Sequence, residues 1–403
     1  MKKIIYFLIL ILISFVPGLY AQNKPLKPEE ALKKAGELIR QKKYLSAFNT
    51  LNEQDPDNRN PEVALKKEDI VLNYFLVSFQ HQLFGLKDLE PGETVEQLRG
   101  RNGDYTLVRF PVDSVLLDLA AKHPRNADLY KGLGRYYMDY YFRYRSMVEN
   151  AEKFLDMAET YFRKALEINP LDAETHKALG ELYHARGQYD KAAEAFRKAV
   201  KIKPSDATAH YNLAYMLARM QQYDEAVREA LAAAKLYQKP EMKADAYGLA
   251  GIAYLEQKQW KKAIPYLENA YKIDPENYDV LYGLTYAYLQ TGNRKHLKTA
   301  KALFDLDPLN TYTYSKLATL YESTGHLDEL KQLFKERMRR YQANDSVAAN
   351  LHFYLGQLYL RESDTAKARE QFLLAKEAYK NFLPEGHEVF GIIDDRLKGL
   401  KEE

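Results

Sequence analysis

A spaced pattern that returns about every 34 residues constrains this chain more than any other feature. Its clearest copy reads Leu179, Gly180, Tyr183, Ala192, Phe196, Ala199 and Pro204. A unit of that length holds two helices and cannot bury its apolar face alone, so successive copies must stack on one another. A chain so patterned folds into an extended array, not into a globular body around one catalytic pocket. Its natural use is to hold other molecules on a long surface.

The spacing inside each unit has a packing reason. Small residues fall where two antiparallel helices approach almost backbone to backbone: Gly180 on the first helix, Ala192 and Ala199 on the second. Leu179, Tyr183 and Phe196 fill the volumes between. Gln188-Tyr189 marks the turn, and Pro204 closes the unit. With drift, the pattern returns from Ala207 (Leu213, Ala214, Leu217, Tyr223, Ala226) and from Ala244 (Ala250, Gly251, Tyr254, Trp260, Ala263, Ala270, Pro275). It returns again from Tyr278 (Leu284, Tyr288, Pro308), Thr311 (Leu317, Ala318, Tyr321, Phe334) and Ala349 (Leu355, Gly356, Tyr359, Ala368, Phe372, Ala375). Upstream, Leu133, Gly134 and Tyr137 open a unit whose second half, Ala158, Phe162, Ala165 and Pro170, arrives about 12 residues late. On these residues the stretch 127–383 resembles the tetratricopeptide repeat family in about seven units, without the leading Trp usual in that family. The resemblance implies an all-α fold, a right-handed superhelical solenoid of antiparallel helix pairs.

Outside that stretch the pattern thins. Residues 22–60 carry Gly36, Tyr44 and Ala47 and are expected to form a degenerate helix pair. Residues 61–126 form an atypical helical unit. Within it 62–84 reads as one long helix, with Leu65, Ile70, Leu72, Phe75, Leu76 and Phe79 available for burial. The turn signals Pro91-Gly92 and Asn102-Gly103, followed by the strand-prone run Tyr105 to Phe110, place a small loop or β-hairpin insertion near 85–112, before a helix from Asp113 to Lys122. At the far end Val389, Phe390, Ile393, Leu397 and Leu400 put an apolar stripe on a helix within 384–403, expected to cap the exposed end of the array.

Lys2 and Lys3 precede an apolar run from Ile4 to Val16, broken by Pro17-Gly18. The run is shorter than the roughly 20 residues that a spanning helix needs, so residues 1–21 read as a signal peptide with cleavage before Gln22. An uncleaved anchor is the alternative. The expectation is export across the inner membrane of a bacterium to the periplasm, with no integral span after cleavage. Lys and Arg (59) nearly balance Asp and Glu (56), leaving no global field to steer the chain to nucleic acid or anionic membrane. With no cysteine, disulfides, thiolate nucleophiles and cysteine-held zinc are excluded. Composition departs from the ordinary in its 33 Tyr against 17 Phe and one Trp, side chains with an apolar face and a polar tip.

The sequence holds no Gly-x-Ser-x-Gly, no His-Glu-x-x-His and no phosphate loop, so neither an enzyme nor a cofactor is expected. His176, His210 and His352 occupy one position in three different units, which puts them on separate helices in packing roles rather than around one metal ion. Trp260 falls at the turn position of Tyr189 and Tyr223 and is expected to be structural. The run Tyr136 to Arg145 supports two readings: a protruding helix for a partner, or a lengthened first helix packed on Ser146 to Met157.

In the family that this stretch resembles, fixed positions of each first helix make a concave groove for extended peptides. Those positions fall here on Lys131, Arg135, Lys177, Glu181, Tyr211, Tyr215, Arg219, Ile252, Glu256, Tyr282, Tyr286, Tyr312, Thr319, Phe353 and Gln357, with Asn212 beside them. A subclass grips peptide carboxylates with Lys, Asn and Arg. Lys177 and Asn212 match that set, but Glu181, Asp245 and Leu249 break it, so that specificity is not expected. The resemblance thus implies a non-enzymatic scaffold with a protein or peptide partner, in a possible envelope complex. The alternative is a glycan-binding or accessory component of an outer-membrane uptake or secretion complex.

Overall fold

A computed structural model describes residues 26–400, in two units that divide after Pro170. The expected signal peptide lies outside the described residues. The first unit opens with helices α1 (Pro28–Arg40) and α2 (Tyr44–Gln54), packed as a pair. Tyr44 and Ala47 are buried in it, whereas a Cβ on Gly36 would meet open space; the close-contact position is the fully buried Ala35. The Asn60 side chain caps the next helix by accepting from the Glu62 and Val63 amides, and Pro61 supplies a preset first residue. That helix, α3 (Pro61–Tyr74), ends ten residues before the expected Phe84 limit.

The reason for the early stop comes from a distant residue. Arg99 donates from Nη2 to the Asn73 carbonyl (2.7 Å) and from Nε to that of Phe75 (3.0 Å), with its guanidinium 4.6 Å from the Phe75 ring centre. Carbonyls at the helix end are satisfied without another turn. The chain then enters strand β1 (Val77–Phe79), β2 (Leu83–Leu86), the short helix α4 (Val95–Leu98) and β3 (Thr106–Arg109). The strands form an antiparallel sheet in the order β1-β2-β3, with Phe79 opposite Leu83 and Leu83 opposite Arg109. The insertion is therefore larger than a hairpin at 85–112 and begins inside the stretch read as helix. Its β1–β2 turn places Gln80 and His81 at φ 51° and 54°, the left-handed pair of a tight primed turn. Phe84 and Val108 face inward, while Phe79 is 50% exposed.

Helices α5 (Val112–Lys122), α6 (Ala127–Tyr144) and α7 (Glu152–Ile168) complete this unit. α6 and α7 pack closely because Gly134 lacks a side chain: a Cβ there would lie 2.5 Å from the Phe162 ring. The Tyr136 to Arg145 run buries Tyr136, Tyr137 and Tyr141 and leaves Phe142 and Arg145 exposed. Tyr137 stacks on Phe154 and Tyr161 on one side, and His81 sits among Tyr136, Tyr140 and Tyr144 on the other. The run thus packs on Phe154, inside the Ser146 to Met157 stretch as one reading held, and on Tyr161 further along α7. It also binds the β insertion, which neither reading foresaw.

The second unit is a solenoid of helix pairs: α8 (Ala173–Ala185) with α9 (Tyr189–Ile202), α10 (Ala207–Arg219) with α11 (Tyr223–Leu236), and α12 (Pro240–Glu256) with α13 (Trp260–Ile273). It continues through α14 (Tyr278–Gln290) with α15 (His296–Leu306), α16 (Thr311–Ser323) with α17 (Leu327–Arg340), and α18 (Asp345–Arg361) with α19 (Thr365–Lys380). A Cβ on Gly180 would lie 2.7 Å from the Phe196 ring, and Gly251 and Gly356 repeat this against Leu267 and Phe372. Every pair turns through one left-handed residue: Gly187, Gln221, Lys258, Gly292, Gly325 or Ser363. Helix α20 (Glu388–Lys398) lies on α19 and buries Phe390 and Ile393. No described helix is long and apolar enough to cross a membrane.

Candidate functional site

The first helices of the second unit touch one another as well as their own partners: α10 meets α12, α12 meets α14, and α16 meets α18. These first helices carry most of the expected site residues. Tyr215 on α10 is 38% exposed, with its ring 5.7 Å from His184 of α8 in an edge-on contact. Arg219, one turn later, lays its guanidinium 5.4 Å from the Tyr189 ring. Tyr211 is half-buried against Tyr237, and burial pushes its hydroxyl up to about 12. Asn212 is half-buried beside it.

Further along, an open depression of about 580 Å³ lies between α12 and α14. Tyr282, Tyr286, Ile252 and Glu256 line it, and Trp260 from the start of α13 closes one side with its ring 4.8 Å from Tyr286. Asp279 and Lys258 stand at the same depression. Tyr312 on α16 is 56% exposed and carries Lys316 5.0 Å from its ring centre. On α18, Phe353 is half-buried in edge-on contact with Phe372 of its own pair. The neighbouring Tyr354 reaches across to α16 instead, its hydroxyl 3.0 Å from Ser315 Oγ and donating to the Thr311 carbonyl at 3.1 Å.

The expected lysines and Arg135 are engaged with the protein's own carboxylates. Lys177 holds Glu174 (2.7 Å) and Asp206 (3.1 Å), and Asp206 in turn caps α10 through the Ala209 amide. In the first unit Lys131 pairs with Asp128 at 2.7 Å, and Arg135 faces Glu68 (3.7 Å) and Asp69 (3.6 Å) of α3. Two of the three expected histidines bond separate partners: His210 pairs with Glu229 (2.6 Å) and the Pro204 carbonyl (3.0 Å), and His352 with Gln371 (2.8 Å). Among the described residues no group of three or more His, Cys, Asp or Glu side chains could hold a metal ion.

The comparisons with known families agree with this repeat geometry. Tetratricopeptide repeat models match residues 161–194, 180–221, 254–295 and 331–381. The chain carries tetratricopeptide repeats. No curated protein matches it. Solved structures similar to it include YrrB, a tetratricopeptide-repeat protein with an unusual peptide-binding site (19% identity over 46% of this chain and 95% of that one, TM-score 0.37). Others are MamA (25% identity, 43% and 91%, TM-score 0.38) and a tetratricopeptide repeat protein from Parabacteroides merdae (17% identity, 66% and 97%, TM-score 0.41).

A tetratricopeptide-repeat fold implies a scaffold that holds protein or peptide. Trp260, expected from its turn position to be structural, was not expected at the site. It does pack on the α12–α14 core, as a structural residue should, but it also lines the depression. A signal was present: Trp260 is the chain's single Trp, and it opens a second helix directly before a face otherwise built from first helices. Lys258 was passed over too. It occupies the left-handed turn position at φ 56°, which glycine fills in three other repeats, so a charged residue is held there in a conformation unfavourable to it.

Proposed function

We propose that the second unit holds an extended protein segment along the face of its first helices, without catalysis or cofactor. One observation carries this reading: successive repeats bring partly exposed rings, Tyr215, Trp260, Tyr282, Tyr286 and Tyr312, with Trp260, Tyr282 and Tyr286 lining one depression beside Glu256, Lys258 and Asp279. Preformed helices lower the ordering cost of association, and tyrosine supplies contact area with few rotors to freeze. The basic start and apolar run of residues 2–16 support export to the periplasm of a bacterial envelope, where an envelope complex is the natural setting. A glycan reading draws on the same depression, since rings rimmed by Glu256, Asp279 and Lys258 also suit a sugar.

The test replaces Tyr211, Tyr215, Tyr282 and Tyr286 together with Ala. Binding to an array of unstructured peptides is expected to vanish while helical content by circular dichroism stays unchanged. Retained peptide binding by a folded variant removes the face from consideration, and binding of neutral oligosaccharides in place of peptides selects the glycan reading.

A further inference from the structure

The depression between α12 and α14 combines three rings with two carboxylates. Trp260 and Tyr286 stand 4.8 Å apart between ring centres at 54°, and Tyr282 lies one turn before Tyr286 on α14. Two π faces meeting at an angle make a corner, not a flat stacking platform. Glu256, at the last residue of α12, and Asp279, in the first turn of α14, line the same space. Neither carboxylate is in an ion pair with any described residue, although much of this surface is paired. Among the lining residues Lys258 alone is cationic, against Glu256 and Asp279, so the lining itself is net negative; Lys316, over the Tyr312 ring, acts on the Tyr282 hydroxyl from outside it.

Elsewhere on the second unit the chain's own cations cover its rings. Arg219 lies 5.4 Å from Tyr189, Lys262 5.9 Å from Tyr254 and Lys316 5.0 Å from Tyr312. Among the described residues no lysine or arginine sits over Trp260, Tyr282 or Tyr286. The strongest cation-binding ring the chain possesses is left without a cation, beside two unpaired carboxylates.

We infer that this depression receives the guanidinium of an arginine in the bound segment. The inference rests on the proposal that the face holds an extended protein segment, and it names what that segment must contain. A guanidinium stacks its flat face on an indole while its edge N–H groups point outward in a fixed fork, which suits carboxylates on two separate helices. An ammonium is a compact and strongly hydrated point charge that gains less from the corner. A peptide carboxylate is disfavoured by Glu256 and Asp279. Lys258 opposes the guest, so its removal strengthens binding; for a carboxylate guest the same change weakens it.

Trp260 makes the test direct, because as the only Trp its emission reports this depression alone when excited beyond the tyrosine band. The full chain is titrated with a capped peptide of small residues around a central arginine, and with its neutral isostere bearing citrulline. The arginine peptide is expected to change Trp260 emission saturably and to bind at least about tenfold more tightly than the citrulline peptide. Glu256→Gln with Asp279→Asn is expected to weaken the arginine peptide by about tenfold, and Lys258→Asn, which tolerates the left-handed turn, to tighten it. Equal binding of the two peptides, with both weakened in Tyr282→Ala, overturns the arginine assignment and leaves the segment-binding face standing. A response to neutral oligosaccharides with none to either peptide overturns both.

Discussion

Glu68 is the residue at which burial most clearly defeats charge. It is 1% exposed, its Oε1 accepts no hydrogen bond, and Arg135 stays 3.7 Å away. Burial therefore raises its carboxyl to about 7, with the Arg135 attraction offsetting only part of the rise. The sign of the consequence is fixed. A carboxyl whose folded value is raised binds its proton more tightly in the fold than in the open chain. Its stabilisation is complete below the unfolded value near 4.5 and is lost as pH rises through about 7. The loss is about 3 kcal/mol across that window. Denaturant unfolding at pH 4.5 and pH 7.5 is expected to show this decline in the native chain and little of it in Glu68→Gln, whose amide does not titrate. A parallel decline in both proteins contradicts the assignment. Buried Lys67 differs in being fully answered: its Nζ donates to the Asp55 carbonyl (2.7 Å), Asn58 (2.8 Å) and Asn52 (3.0 Å).

Between elements, the fold depends on how closely helices approach. Gly180→Ala drives a Cβ to 2.7 Å from the Phe196 ring, which is itself 1% exposed and has nowhere to retreat. The expected cost is about 1–3 kcal/mol of overpacking, measured by equilibrium denaturation. Phe196→Leu opens a cavity alone, but combined with Gly180→Ala it is expected to recover part of that cost, giving a favourable coupling in the double-mutant cycle. Simple additivity contradicts a shared contact. This contact explains why the repeats were legible in the sequence: a small residue opposite Phe or Leu must recur wherever two helices meet backbone to backbone. The β insertion was only half legible. Phe75 and Leu76 are both buried and continue the apolar spacing of α3, so the local pattern extends a helix that Arg99, 24 residues along, terminates. The depression was half legible for a related reason. Tyr282 and Tyr286 follow from the repeat, but Trp260 arrives from a turn position, and its role depends on three elements meeting.

At the scale of the second unit, each repeat adds one pair of helices and one strip of the same face. The rings proposed to hold the segment, Tyr215, Tyr282, Tyr286 and Tyr312 on first helices and Trp260 at the start of α13, are spread over about a hundred residues of sequence. The opposite helices carry exposed charge instead, such as Glu194 on α9 and Lys272 on α13. A segment held by several modest aromatic contacts gains affinity from their number, and losing one ring weakens the hold without abolishing it. The most direct test is to place a photo-crosslinking phenylalanine at Tyr215, Tyr282 or Tyr312, and separately at Glu194, Lys272 or the exposed Leu373 of α19. With a bound peptide present, crosslinks are expected from the three first-helix positions and none from the second-helix positions. Crosslinks confined to Glu194, Lys272 and Leu373 contradict a binding face built from the first helices.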